Sequence, residues 1–148
     1  MVCTLGGLPV LFALTGAKAD ERETLVGMLD ADAALVAARP GQTLIGDKNY
    51  YGRRFERDLS ERELRLLRPA RKGEDERAGA QLFKPLRQVI ESINQTFKGH
   101  LDLERHGGRT IEGVMVRVLA RVLALTAVIW HNDRTGQQIM RSLIAYDH

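Results

Sequence analysis

The stretch Thr43-Leu44-Ile45-Gly46-Asp47-Lys48-Asn49-Tyr50 decides the fold class. Thr43, Leu44 and Ile45 form a short apolar, partly β-branched run between the breakers Pro40-Gly41 and Gly46, which predicts a buried strand that delivers Asp47. The carboxyl end of such a strand is where an open α/β sheet presents ligands to a crevice, so Asp47 is a candidate site residue. An Asp after a strand serves equally well as a turn residue that bonds its own backbone two positions on.

On the downstream side, residues 51–62 predict a polar-faced helix, and residues 64–67, ahead of Pro69, a second strand. The charged, glycine-bearing run 71–79 (RKGEDERAG) predicts a mobile, solvated loop. Residues 83–100 predict a helix with Leu86, Ile90, Ile93 and Phe97 on one face. After Gly107-Gly108, the residues Ile111, Met115, Val118, Val122, Leu125 and Ile129 recur at alternating steps of four and three, which predicts a long helix buried along that seam, with Trp130 in the core.

On the upstream side, residues 2–5 and 8–15 flank Gly6-Gly7 and predict a hairpin whose two-residue turn has positive φ at both glycines. Pro9 lacks an N–H donor and belongs near the strand start or on an edge. Asp20 with Glu23 three residues later is a helix-start signature, predicting a helix over 20–29 that continues or restarts over 30–38. The order strand, strand, helix, strand, helix, strand, helix, helix makes an α/β chain.

A chain of 148 residues with 44% hydrophobic and 28% charged residues is long enough to bury its own core as one domain. The lone Cys3 has no partner within the chain and reads as a small buried hydrophobe, and with no leader at the N-terminus the expected location is cytoplasmic. The most apolar stretch, 111–130, contains Glu112, Arg117 and Arg121, each costly in hydrocarbon, so no membrane partner is expected. Net charge is +3, yet residues 48–72 hold nine Lys or Arg against four Asp or Glu, an excess that suits either phosphate or a solvated basic face. No Gly-rich phosphate loop, Ser-His-Asp ordering or CxxC occurs, which removes nucleotide hydrolases, acyl hydrolases and thiol redox enzymes. Asp102-x-Glu104-x-His106 and His131-x-Asp133 lack the spacing of a zinc site and read as surface polar residues.

A second acid stands out on the helix over 83–100. With Arg87 at 0°, Glu91 falls at about 40°, Lys98 at about 20° and Asn94 at about −20°, a polar stripe beside the apolar face. The plain alternative is an Arg87–Glu91 ion pair at i, i+4, worth a few tenths of a kcal/mol.

Taken together, Leu44-Ile45-Gly46-Asp47-Lys48-Asn49-Tyr50 and Arg87-x-x-x-Glu91-x-x-x-x-x-x-Lys98 resemble the catalytic end of DDE-type insertion-sequence transposases, which use a ribonuclease H-like fold. The resemblance spans nearly the whole chain, with Gly7-Leu8-Pro9-Val10, the 17–22 segment (AKADER) and Arg105-His106-Gly107-Gly108-Arg109-Thr110 in the family's order. It implies that residues 1–148 are the C-terminal part of a single catalytic domain: a partial ribonuclease H-like fold, a mixed sheet without its first strand, followed by C-terminal helices.

The resemblance also implies roles. Asp47 and Glu91 would be catalytic and metal-binding, with Arg87, Lys98 and Tyr50 supporting them. Lys48, Arg53, Arg54, Arg105 and Arg109 would contact DNA. The cofactor would be a pair of Mg²⁺ or Mn²⁺ ions about 3.5 to 4 Å apart, holding the attacking and leaving oxygens of a phosphodiester displacement. The partners would be DNA at transposon ends and a full-length transposase. Two departures accompany the match: Lys84 stands where the family's signature has Tyr, and no Asp precedes Asp20, although the family's first catalytic Asp lies on a strand before the hairpin. The expected function is thus that of a transposase fragment related to metal-dependent strand cleavage and transfer. The alternatives are a catalytically inactive remnant that binds DNA or a transposase, and a nuclease or junction resolvase on the same fold.

Overall fold

The computed structural model describes residues 1–16, 18–100 and 107–138. Its elements are β1 (Val2–Cys3), β2 (Pro9–Leu11), α1 (Glu21–Ala31), α2 (Ala33–Ala37), β3 (Thr43–Ile45), α3 (Arg53–Glu61), β4 (Arg65–Leu67), a 3₁₀ turn (Ala80–Leu82), α4 (Phe83–Gln95), a π-helical turn (Thr96–His100) and α5 (Ile111–Thr135). The chain divides into two compact units, one of residues 15–84 and one of residues 1–14 with the described residues from 85 onward.

The 15–84 unit is built on a β3–α3–β4 crossover. β3 and β4 pair in parallel with Thr43 opposite Arg65, Leu44 opposite Leu66 and Ile45 opposite Leu67. Parallel strands need a crossover connection, and α3 with its flanking turns supplies it. Polar residues dominate α3, and its Phe55 and Leu59 are its buried side chains; Leu59 is fully buried. Leu25, Met28 and Leu29 of α1 and Leu64 before β4 are buried as well. Asp20 caps α1, its carboxylate accepting from the Arg22 and Glu23 N–H groups. The helix then restarts at α2, where Asp32 accepts from the Leu35 N–H, so the expected continuation is two helices with an Asp at each start.

The other unit begins with the hairpin β1–β2, in which Val2 faces Leu11 and Cys3 faces Pro9 across a bulge. Pro9 opens its strand, as a residue without an N–H should. The turn differs from the two-residue form expected: Thr4 accepts from the Gly7 N–H and donates to the Leu8 carbonyl, closing a three-residue loop over Leu5, Gly6 and Gly7. Of the two glycines, Gly7 alone has positive φ, +81°. This is a type I turn followed by a left-handed residue, the geometry three-residue hairpins favour.

The core of this unit joins Ile93 and Phe97 to Val118, Val122, Leu125 and Ile129 of α5, with Cys3, Leu8, Val89 and Val114 packed against them. The seam expected for α5 is therefore correct from Val118 onward. Its first turns are not buried: Ile111 and Met115 are exposed, and on α4 Val89 takes the inward place expected of Ile90, which is exposed. Trp130, expected in the core, is 59% exposed with the Arg134 guanidinium 5.2 Å from its ring. It lines an apolar groove of about 690 Å³ with Thr4, Leu8 and Leu123. α5 is long and apolar enough to cross a bilayer by length and composition.

The mixed sheet expected from the sequence takes the form of two separate two-stranded sheets, one antiparallel and one parallel. Each is stabilised locally, β3–β4 by the crossover through α3 and β1–β2 by packing Cys3 and Leu8 on the helical core.

Candidate functional site

Asp47 follows Gly46, whose N–H extends the β3–β4 ladder by donating to the Leu67 carbonyl at 3.0 Å. Just past this ladder the chain turns sharply, and Asp47 organises the turn. Its Oδ1 accepts from the Asn49 N–H at 2.6 Å, and its carbonyl accepts from the Tyr50 N–H at 3.2 Å. The acid is thus at the strand end that the sequence predicted, and it closes an Asx turn there. Tyr50 is half-buried, its ring 6.2 Å from that of Phe55; burial foremost, and then the charges of Glu21, Asp47 and Asp20, push its hydroxyl pKa up. Lys48, Arg53 and Arg54 are exposed, the last two in the first turn of α3.

Tyr51 ends the turn and gathers arginines. Arg22 donates from Nη1 to the Tyr51 carbonyl at 3.0 Å and from Nη2 to Asp20 Oδ2 at 2.6 Å. That bond, foremost, holds the Asp20 carboxyl far below the usual carboxylate range. The guanidinium carbons of Arg71 and Arg22 lie 3.6 and 5.2 Å from the Tyr51 ring centroid.

The sequence reading missed Arg68. It follows β4, is only 2% exposed, and is held by two carboxylates: Glu56 Oε1 accepts from Nη2 at 3.0 Å, and Glu74 accepts from Nη1 at 2.7 Å. Arg77 adds a further contact to Glu56 at 3.3 Å. The Arg68 hydrogen bond, with help from the Arg71 N–H, lowers the Glu74 pKa to about 2. The run 71–79 expected to be mobile is therefore tied to β4 at Glu74. The signal was present in the sequence: an Arg inside the apolar run before Pro69 is buried only where carboxylates within reach neutralise it.

Glu91 is on α4 in the other unit. Arg87 Nε donates to its Oε1 at 2.7 Å, and the two side chains are 80% and 60% exposed, so the i, i+4 ion pair is what the geometry realises. Asn94 is exposed on the same helix. Lys98 lies in the π-helical turn Thr96–His100, where the 100°-per-residue count from Arg87 no longer holds. Lys84, at the position of the family's Tyr, is exposed in the first turn of α4. Arg109 is exposed just before Thr110, whose hydroxyl caps α5. Arg105, with Asp102, Glu104 and His106, lies outside the described residues. Gly108 is explained by packing: a Cβ there would stand 2.7 Å from the Val114 amide nitrogen.

Each candidate acid is engaged locally, Asp47 by the Asn49 N–H and Glu91 by Arg87. Asp47 lies in the 15–84 unit and Glu91 in the other. Among the described residues no group of three or more His, Cys, Asp or Glu could hold a metal ion. A two-ion centre binds each metal through several oxygens, so Asp47 and Glu91 would supply part of its donor set.

A family model described as the transposase DDE domain matches residues 1–127. No curated protein and no solved structure matches the chain.

Proposed function

We propose that this chain, which belongs to the transposase DDE domain family, takes part in DNA transposition by binding DNA, and that it neither cuts nor joins strands. Membership supplies the link to transposition. The state of the two candidate acids carries the rest: Asp47 is engaged by its own turn and Glu91 by Arg87. In this reading residues 1–148 are the C-terminal part of one ribonuclease H-like catalytic domain, β3–α3–β4 being a piece of its sheet. The intact site would use Mg²⁺ or Mn²⁺. DNA at transposon ends is the substrate class, and a full-length transposase is the protein partner.

The basic residues support the binding half of this proposal. Lys48, Arg53, Arg54 and Arg109 are exposed, and with Lys98 and Arg105 they make six candidate phosphate contacts. Neutralising six phosphates on duplex DNA makes affinity fall as roughly the fifth power of salt concentration, about 0.9 per contact. Titration of a labelled duplex between about 50 and 200 mM salt tests this. Binding that ignores salt, or that depends strongly on one base sequence, contradicts it.

One observation favours a second reading, a fragment that still catalyses strand cleavage. Asp47 keeps its place at the carboxyl end of a parallel strand, and Glu91 keeps the family spacing to Arg87 and Lys98. The two readings differ in metal-dependent cleavage.

A further inference from the structure

The Asp47 turn ends at Tyr51, and the two arginines on that ring are in different states. Arg22 is fully engaged: Nε and Nη2 donate to the Asp20 carboxylate, and Nη1 donates to the Tyr51 carbonyl. Arg71 is anchored at its backbone and seated on the ring, with its guanidinium N–H groups unengaged among the described residues. Its backbone N–H donates to Glu74 Oε2 at 2.8 Å, and Glu74 is itself gripped by the buried Arg68. Its guanidinium lies over the Tyr51 ring at 3.6 Å and, among the described residues, makes no hydrogen bond or ion pair.

A guanidinium lying on an aromatic face keeps its rim of N–H donors available, and that planar fork matches a phosphate. Seating on the ring also removes rotamer freedom before any ligand arrives, which lowers the cost of binding. Lys72 is adjacent, and the segment that contains Tyr51 also carries Lys48, Arg53 and Arg54, while Asp47, Glu74, Asp75 and Glu76 are the acids of residues 47–54 and 71–79. Two of the nearby carboxylates, Asp20 and Glu74, are occupied by Arg22 and Arg68.

We propose that Arg71, seated on Tyr51, is a DNA-phosphate contact beside the Asp47 turn. The proposal rests on the reading of this chain as a DNA-binding member of its family. It adds a positioned contact from the 71–79 segment, with Tyr51 as a positioning residue that acts through Arg71.

The test is a salt titration of duplex binding with the full chain and its variants, alongside urea unfolding of each. Arg71→Gln is expected to lower the salt slope by about 0.9 and to weaken binding about eightfold at 0.1 M salt, as loss of one phosphate contact requires. Arg39→Gln, which removes another exposed charge in the same unit, should change neither. Tyr51→Leu should weaken binding about two- to fivefold by unseating Arg71, and Tyr51→Phe should restore it. If Arg71→Gln disturbs folding, the Tyr51→Leu and Tyr51→Phe pair decides. An unchanged slope in Arg71→Gln, or an equal loss in Arg39→Gln, overturns the assignment while the steep slope of the parent chain keeps the DNA-binding reading. A parent chain that does not bind DNA, or binds without salt dependence, overturns both.

Discussion

Arg68 and Glu74 form a two-point contact in which Nη1 meets Oε2 at 2.7 Å and Nη2 meets Oε1 at 3.0 Å, and through it the segment after β4 is fixed to the strand. The guanidinium is 2% exposed and has a second carboxylate, Glu56, at 3.0 Å. A buried charge so enclosed is a poor source of net stability, yet removing one side of it costs much.

Arg68→Ala should therefore lower the free energy of unfolding by about 2 to 3 kcal/mol, combining a cavity with lost charged hydrogen bonds. Glu56 and Glu74 are about one-third exposed and regain water, which keeps the loss below that of stranding a fully buried charge. Arg68→Met, which fills most of the space, should cost less. Urea unfolding of the three chains measures both differences, and equal losses would show that packing contributes nothing to the effect.

The same pair makes stability depend on pH. Glu74 titrates near 2 in the folded chain against an ordinary 4.5, so the folded state favours its ionised form. The sign follows from proton uptake: the unfolded chain binds the proton first, so this stabilisation is fully present above about pH 4.5 and is lost as pH falls toward about 2. Asp20, also depressed by its arginine, adds to the loss in the same direction. Melting temperatures from pH 7 down to 2 should fall through this window, and Glu74→Gln should flatten the fall. An unchanged profile in Glu74→Gln would remove the pair as its source.

The two faces of α5 predict opposite sensitivities. Leu125 is buried in the cluster with Ile93 and Phe97, so Leu125→Ala should cost about 2 to 5 kcal/mol. Trp130 is exposed, so Trp130→Ala should cost less than about 1 kcal/mol. Its fluorescence should already be that of a wet indole in the folded chain and should shift little on unfolding. A blue-shifted native emission would mean that the face carrying Trp130 is covered.

What the sequence revealed follows from which forces are local. β3 and β4 were legible because a β-branched or leucine run between breakers leaves few alternatives, and the α1 start because Asp20 caps through atoms two and three residues away. The hairpin was legible but not its loop, since Gly6-Gly7 fits either a two- or a three-residue turn until strand twist selects one. The burial of α5 was legible only in part. Its period names a seam, but only a partner decides how far that seam is covered, and Ile111 and Met115 lie beyond Phe97 and Ile93's reach. Asp47 was found at its strand end because strand and turn are adjacent in the chain. Arg68 was not, because its meaning depends on Glu56, twelve residues earlier, and on Glu74, in a run that reads as solvated.

The most direct test of the central claim is an assay of strand cleavage and strand transfer by the purified 148-residue chain on labelled duplex DNA with Mg²⁺ or Mn²⁺. The proposed function predicts binding without cleavage or joining, and the same result for Asp47→Ala. Metal-dependent cleavage by the parent chain that disappears in Asp47→Ala would contradict it and would place Asp47 in a working catalytic centre.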